Sequence, residues 1–120
     1  MWLWDQSKGQ LFRDGALISN GYSGYKRGKN NPSMQAAVGI GPIPQGLWKL
    51  TSIYNSPNTG PKTIVLDPCE NTETFGRSLF RIHGDSIKNP GNASHGCIIL
   101  PRAIREKIWA SGDRILKVTE

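Results

Sequence analysis

The sequence has no long apolar run, no disulfide framework and almost no histidine. Of its 120 residues, 37% are hydrophobic, and none of these lie in a stretch approaching the ~20 residues a membrane-crossing helix needs. Met1-Trp2-Leu3-Trp4-Asp5 is too short and too soon acidic for a secretory signal peptide. The expectation is therefore synthesis in the cytoplasm without a signal peptide, no membrane insertion, and export by another route. Two cysteines, Cys69 and Cys97, are too few for a disulfide scaffold, and Cys69 reads as an incidental thiol in a turn. There is no Cys-x-x-Cys and no His-Glu-x-x-His, so no metal and no cofactor is expected. The polar stretch Asn20–Ser33 lacks the Gly-Lys-Ser/Thr ending of a phosphate cradle. Internal repeats, linkers and low-complexity tails are absent, and the length fits a single domain over residues 1–120.

Positive charge is what the chain has in excess. Fifteen Lys and Arg against nine Asp and Glu leave +6, which favours an anionic partner such as nucleic acid, a lipid surface or a carboxylate-rich wall polymer. The cations are scattered, however. The densest cluster, Lys26-Arg27-Gly28-Lys29, has neither a basic helix nor an RNA-stacking motif beside it, which argues against nucleic acid.

Fourteen glycines and eight prolines punctuate the chain and suit short strands joined by turns. Trp2–Trp4, Gln10–Arg13 and Ala16–Ser19 read as a small meander, with Asp14-Gly15 as a hairpin turn that tolerates positive φ. Strands are also expected at Met34–Ile40, Leu47–Tyr54, Thr63–Leu66, Leu79–His83, Ile98–Leu100 and Arg114–Val118. Asn20–Ser33 is expected to be a loop, either solvated or walling a groove with Tyr22 and Tyr25. The one good helix starts at Pro101, carries Ile104 and Ile108 on one face, and ends at Gly112. The class is mainly β with one short helix near the C-terminus.

The chemistry concentrates in Ala93-Ser94-His95-Gly96-Cys97-Ile98-Ile99-Leu100. A thiolate is a strong nucleophile, and a histidine can remove the thiol proton. Both histidines are candidates. His95 is close in sequence, but Gly96 between them signals a turn rather than a flat strand. His83 ends a separate strand and can reach the sulfur from across the site, so it is taken as the base, with His95 in support. Gly96 would leave its own N–H and that of Cys97 free for an oxyanion. The Gly84 carbonyl would orient His83, as the third member does in a triad. Ser94 would stiffen the turn. Arg81, Tyr22 and Tyr25 are candidate substrate contacts. Two duller readings stand beside this one: Cys97 as an inert buried thiol, and a zinc site made from His83, His95, Cys97 and Cys69 at a spacing that matches no standard pattern.

At these residues the chain resembles the L,D-transpeptidase (YkuD-like) catalytic domain, whose signature is His-Gly followed by Ser/Thr-His-Gly-Cys. The resemblance extends furthest to the small Tlde1 branch, through Asn20–Gly24, Asn30-Asn31-Pro32, Gly41–Gly46, Gly76-Arg77-Ser78, His83-Gly84-Asp85 and Ala93–Leu100. It implies a β-sandwich or barrel of short strands with one α-helix, and no metal. It also implies a cysteine enzyme acting on peptidoglycan stem peptides. Cys97 would attack the carbonyl of the third stem residue, normally meso-diaminopimelate, and terminal D-alanine would leave. Water then gives L,D-carboxypeptidase cleavage, and an amine gives transpeptidation or D-amino-acid exchange. Two residues after the cysteine, where many relatives carry Arg or Asn, stands Ile99, which tilts the expectation towards cleavage and exchange. In the Tlde1 branch the domain is an antibacterial effector delivered by type VI secretion to a rival's periplasm, with a cognate immunity protein. The alternatives are a non-catalytic peptidoglycan-binding module of the same fold and a basic nucleic-acid binder.

Overall fold

A computed structural model describes residues 1–120. Its strands are β1 (Trp2–Asp5), β2 (Gln10–Arg13), β3 (Ala16–Asn20), β4 (Tyr22–Ser23), β5 (Gly46–Ser56), β6 (Gly60–Pro68), β7 (Arg81–His83), β8 (Ile98–Ile99) and β9 (Ile115–Thr119), with one α-helix, α1 (Arg102–Ala110). All nine strands form one sheet in the order β3-β2-β1-β9-β5-β6-β7-β8-β4. Its two edge strands, β3 and β4, are separated in the chain by Gly21 alone, so the sheet curls into a nearly closed barrel.

Alternation builds the core. Trp2, Trp4, Leu11, Trp48, Leu50, Ile64, Leu66, Ile82, Ile98, Leu116 and Val118 point inward from successive strands, and Ile108 of α1 joins them. Of the three indole N–H groups buried there, that of Trp2 has no partner and the other two find one. Trp4 Nε1 donates to Gln6 Oε1 at 2.9 Å, Gln6 Nε2 donates to the Ile43 carbonyl at 2.7 Å, and Trp48 Nε1 donates to the Pro44 carbonyl at 3.0 Å. The Asp14-Gly15 hairpin adopts φ of +51° and +82°, as a type I′ turn requires. α1 ends with Gly112 at φ +76°, in the left-handed position that glycine occupies without strain.

Two expectations fail. Met34–Ile40 is a chain of turns rather than a strand. Its neighbourhood has no ladder partner; instead the Arg77 guanidinium takes the carbonyls of Gln35, Gly41 and Pro42. The stretch Asn20–Ser33 is more ordered than a loop: it holds β4 and single turns of 3-10 helix at Lys26–Gly28 and Pro32–Met34. No helix is long and apolar enough to cross a membrane.

The closure of the barrel is tight at Gly21, where a Cβ would collide with the Ile99 carbonyl oxygen and crowd Leu100 and Trp4. Gly21→Ala is expected to lower stability by about 1–3 kcal/mol, as overpacking of a filled interior does. A shift of the urea midpoint to lower concentration, with unchanged slope, checks it.

Candidate active site

β7 and β8 pair in parallel with Ile82 opposite Ile98 and His83 opposite Ile99. Ile82 and Ile98 face the core, so His83, Ile99 and Arg81 share the other face. One step back along the ladder, Cys97 lies across from Arg81 on that same face. His83 and Cys97 are thus diagonal neighbours, with Cα atoms about 8 Å apart by strand spacing and rise. The sequence brings the two residues together only because a polar loop, Gly84–Cys97, carries the chain back parallel to its outgoing strand.

His83 is buried, and its Nδ1 lies 2.9 Å from the Gly84 carbonyl oxygen. A carbonyl only accepts, so Nδ1 carries the proton and Nε2 keeps its lone pair. Nε2 has no protein partner, yet it is not a sealed, unsatisfied atom. The ring borders a groove of about 800 Å³. Burial pushes the His83 pKa down; the charges of Arg105 and Arg81 act the same way, against the Gly84 carbonyl and Asp85. The imidazole is therefore neutral at neutral pH.

Cys97 is half-buried, a free thiol like Cys69. Its Sγ lies 3.7 Å from the Leu79 carbonyl oxygen. Leu79 is an unusual support, at φ +64° and 71% exposed. Protein atoms crowd the sulfur and push the thiol pKa up, opposed by the Arg81 main-chain N–H and by the charges of Arg81 and Arg77. At rest the thiol and the imidazole are thus both neutral.

The turn that presents Cys97 is held by hydroxyls. Ser94 Oγ is fully buried; it donates to the Cys97 carbonyl at 2.5 Å and accepts from Gly24 N at 2.8 Å and Gly96 N at 3.2 Å. Ser23 Oγ donates to the Gly96 carbonyl at 3.1 Å and accepts from Ile43 N at 2.9 Å. The two free oxyanion donors expected at Gly96 and Cys97 therefore reduce to one: Ser94 occupies the Gly96 N–H, and only the Cys97 N–H is without a protein acceptor.

The other expected contacts are mostly engaged within the protein. His95 Nδ1 binds the Gly39 carbonyl at 2.8 Å, and its ring lies 4.8 Å from that of Tyr25. The Tyr22 hydroxyl donates to Asp85 Oδ1 at 2.6 Å and accepts from Ala93 N at 3.0 Å. Burial, with the Asp85 carboxylate second, pushes its pKa up to about 12. Tyr22 therefore ties the Gly84–Cys97 loop to β4 rather than offering a loose surface. Asp85 also accepts from Ser86 N at 2.8 Å and Gly91 N at 3.0 Å, closing the loop on itself. The Arg81 side chain is half-buried and makes no hydrogen bond or ion pair within the protein. No group of three or more His, Cys, Asp or Glu lies close enough to hold a metal.

Two arginines matter more than residue-by-residue reasoning suggested. Arg77 donates to the carbonyls of Gln35, Pro42, Gly41 and His95, the last at 3.2 Å, and stacks on Phe80 at 5.1 Å. Arg105, 3% exposed, donates to Lys62, Leu100 and Pro61 carbonyls at 3.0, 2.7 and 2.9 Å, pinning α1 under the β6–β8 strands. Gly76-Arg77-Ser78 was visible as a family block but carried no role. Arg105 looked like any cation on an amphipathic helix.

The family model of the Tlde1 domain matches residues 18–119. The structure is similar to the crystal structure of an L,D-transpeptidase (Yku) from Stackebrandtia nassauensis, with TM-score 0.58 and 18% identity over 99% of this chain and 54% of that one. The chain thus spans about half the length of that protein. None of the curated proteins matches.

A crowded thiol with partial cationic support makes a prediction. In a Cys69→Ser background, iodoacetamide alkylation of Cys97 should rise with pH through an inflection above the ordinary thiol value of about 8.5. Arg77→Met should move that inflection higher. An inflection below neutrality, read by mass spectrometry of the labelled peptide, would contradict the assignment.

Proposed function

Because the chain belongs to the Tlde1 domain family, we propose that it is a cysteine-dependent L,D-carboxypeptidase and L,D-transpeptidase of peptidoglycan stem peptides. The observation that carries this reading is the state of His83. Its Nδ1–H is fixed on the Gly84 carbonyl, which leaves Nε2 with its lone pair, and His83 and Cys97 share one face of the β7–β8 ladder.

The steps follow from that arrangement. His83 Nε2 accepts the Cys97 thiol proton as Sγ attacks the carbonyl of the third stem residue. The Cys97 N–H is the donor available to the tetrahedral oxyanion. The C–N bond to D-alanine breaks, and His83 returns the proton to the departing amine, leaving a thioester. Water then releases a tripeptide, or a D-amino acid or second stem amine takes the acyl group; in each case His83 takes the acceptor's proton as Sγ departs. A neutral thiol and a neutral base suit general-base activation at the moment of attack rather than a standing thiolate–imidazolium pair. The excess positive charge suits an anionic wall.

The reading takes residues 1–120 as one catalytic unit. The β1–β2 hairpin lies outside the family match but supplies Trp2, Trp4 and Leu11 to the core. It also takes the protein as an antibacterial effector delivered by type VI secretion to a target periplasm, with a cognate immunity protein, as in the Tlde1 branch. Ile99 is buried opposite His83, so no charged group stands there to hold a second stem, which favours cleavage and exchange.

Incubation with disaccharide-tetrapeptide muropeptides should give tripeptides with loss of D-alanine, followed by chromatography and mass spectrometry. Cys97→Ala should abolish turnover, and His83→Gln should reduce kcat by about 10²–10⁴-fold. Sacculus binding by Cys97→Ala, with no turnover by the wild type, would instead identify a binding module. The acid limb of kcat/KM should fall below the ordinary histidine value of about 6.5, because the folded state depresses the base. The linked stability has the same sign: it is complete above that unfolded value and lost as pH falls through the depressed one. Urea midpoints should therefore drop on acidification more in the wild type than in His83→Gln.

A further inference from the structure

The carbonyl that fixes the His83 tautomer is not itself held by the main chain. The β7–β8 bonding ends one residue earlier, with Leu100 N on the His83 carbonyl. Beyond it the Gly84 carbonyl receives no main-chain N–H, and Asp85 N reaches no main-chain acceptor. Nothing in the backbone bonding therefore resists a rotation of the Gly84–Asp85 peptide unit that would turn its oxygen away from Nδ1. Gly84, without a Cβ, adds little resistance of its own. On its near side the unit is backed by Arg105, whose Nη1 lies 3.1 Å from where a Cβ on Gly84 would stand. On its far side the restraint is the Asp85 carboxylate.

Asp85 is exposed, yet its carboxylate is fully engaged. Oδ1 accepts from the Tyr22 hydroxyl at 2.6 Å, from Ser86 N at 2.8 Å and from Gly91 N at 3.1 Å, and Oδ2 shares Gly91 N at 3.0 Å. Tyr22 belongs to β4, which pairs with β8 through Tyr22 and Ile99, so the grip ties Asp85 to the strand that follows Cys97. Tyr22 is fixed in turn. Ala93 N donates to its hydroxyl at 3.0 Å, and Lys29 Nζ stands over its ring at 4.6 Å. Burial works against the carboxylate, but these bonds and the Lys29 charge outweigh it and hold the Asp85 carboxyl below its ordinary range. Asp85 forms no ion pair, and its charge acts on His83 less than burial, the Gly84 carbonyl or the two neighbouring arginines do. Its influence on the imidazole is thus through geometry.

We propose that Asp85, gripped by Tyr22, is a positioning residue for His83: it holds the Gly84–Asp85 peptide so that the Gly84 carbonyl faces Nδ1, which keeps the lone pair on Nε2. Which ring nitrogen carries the proton follows the hydrogen bond on offer. A released carbonyl lets the proton settle on Nε2, and a ring in that state cannot accept from a thiol there. The tautomer is a property of the chain alone. Its effect on turnover rests on the cysteine chemistry proposed above.

The test reads the tautomer directly, by proton–nitrogen correlation NMR of the histidine rings in the isotopically labelled full chain. A pH of about 8, above the ordinary histidine range, keeps the rings neutral. Wild-type His83 should carry its proton on Nδ1. Asp85→Ala should move a large fraction to Nε2, and Tyr22→Phe a smaller one. Asp85→Asn, which still offers Oδ1 to the same donors, should resemble the wild type. His95 is the internal control for folding, because its Nδ1 lies on the Gly39 carbonyl and its pattern should not change. On tetrapeptide muropeptides, kcat of Asp85→Ala should fall about five- to tenfold, in step with the fraction of competent tautomer and with KM unchanged. An unshifted His83 in Asp85→Ala, with His95 unchanged, overturns the proposal. A tautomer shift with wild-type kcat overturns it as well, and so does a loss carried by KM, since Asp85 would then touch the substrate. A loss in Asp85→Asn equal to that in Asp85→Ala has the same force, because charge rather than the grip would be at work. Should Asp85→Ala fail to fold, Tyr22→Phe decides by the same readings. The expected shifts in a protein whose wild type turns over no stem would sustain the positioning role and sink the cysteine chemistry instead.

Discussion

The candidate site depends on a parallel ladder only two residues long. Ile82 with Ile98 and His83 with Ile99 are the pairs that set His83 diagonally across from Cys97. So short a pairing does not hold itself, because parallel strands must pay the closure entropy of their connection before any bond forms. Here the connection is a polar loop rather than a helix. It is tied to the barrel by Tyr22 on Asp85, by Ser94 on Gly24 and by Ser23 on Gly96. Past the ladder, Leu100 N donates to the His83 carbonyl at 3.1 Å, and Arg105 takes the Leu100 carbonyl. The placing of His83 against Cys97 is thus a property of the tie points as much as of the two side chains.

Those tie points share one physical cause. The segments around the site are rich in glycine and proline and cannot form continuous ladders, so their carbonyls need other donors. Arg77 and Arg105 meet that need, since a guanidinium offers several N–H groups in a fixed fork. Each arginine gathers carbonyls from segments distant in the chain, and neither pairs with a carboxylate. Arg77 also places its charge near the sulfur, and its Nη2 occupies the space a Cβ at position 96 would need. The same side chain therefore orders the loop, excludes any larger residue from Gly96 and partly offsets the thiol's burial.

The electrostatics of the site favour a neutral resting state. Burial acts on both partners, raising the thiol and lowering the imidazole. A neutral thiol reacts slowly with stray electrophiles and oxidants, because the thiolate is the reactive form. In the proposed mechanism, nucleophilicity arises when a carbonyl is in place and the proton can pass to Nε2.

Local signals in the sequence were enough for much of the architecture. Alternation at Phe80 and Ile82 marks an inward face, Asp14-Gly15 marks a type I′ turn, and Ile104 with Ile108 marks a helix stripe, because each feature involves neighbours a few residues apart. The Ser94–Cys97 block and His83-Gly84 likewise marked the candidate site, because each block is local in the sequence. The turns at Met34–Ile40 were not legible, because what displaces a strand there is Arg77, distant in the chain. The partners of the Gly96 N–H, of Tyr22 and of His95 were hidden for the same reason. Residue identity and short-range spacing determined which groups could react and which stretches would extend. Only the tertiary structure decided which strand lies beside which, and so which N–H groups, rings and guanidinium groups are spent on holding the fold and which stay open to a ligand. Those assignments are long-range pairings, set by barrel closure and by competition among donors for carbonyls, and no local pattern encodes them.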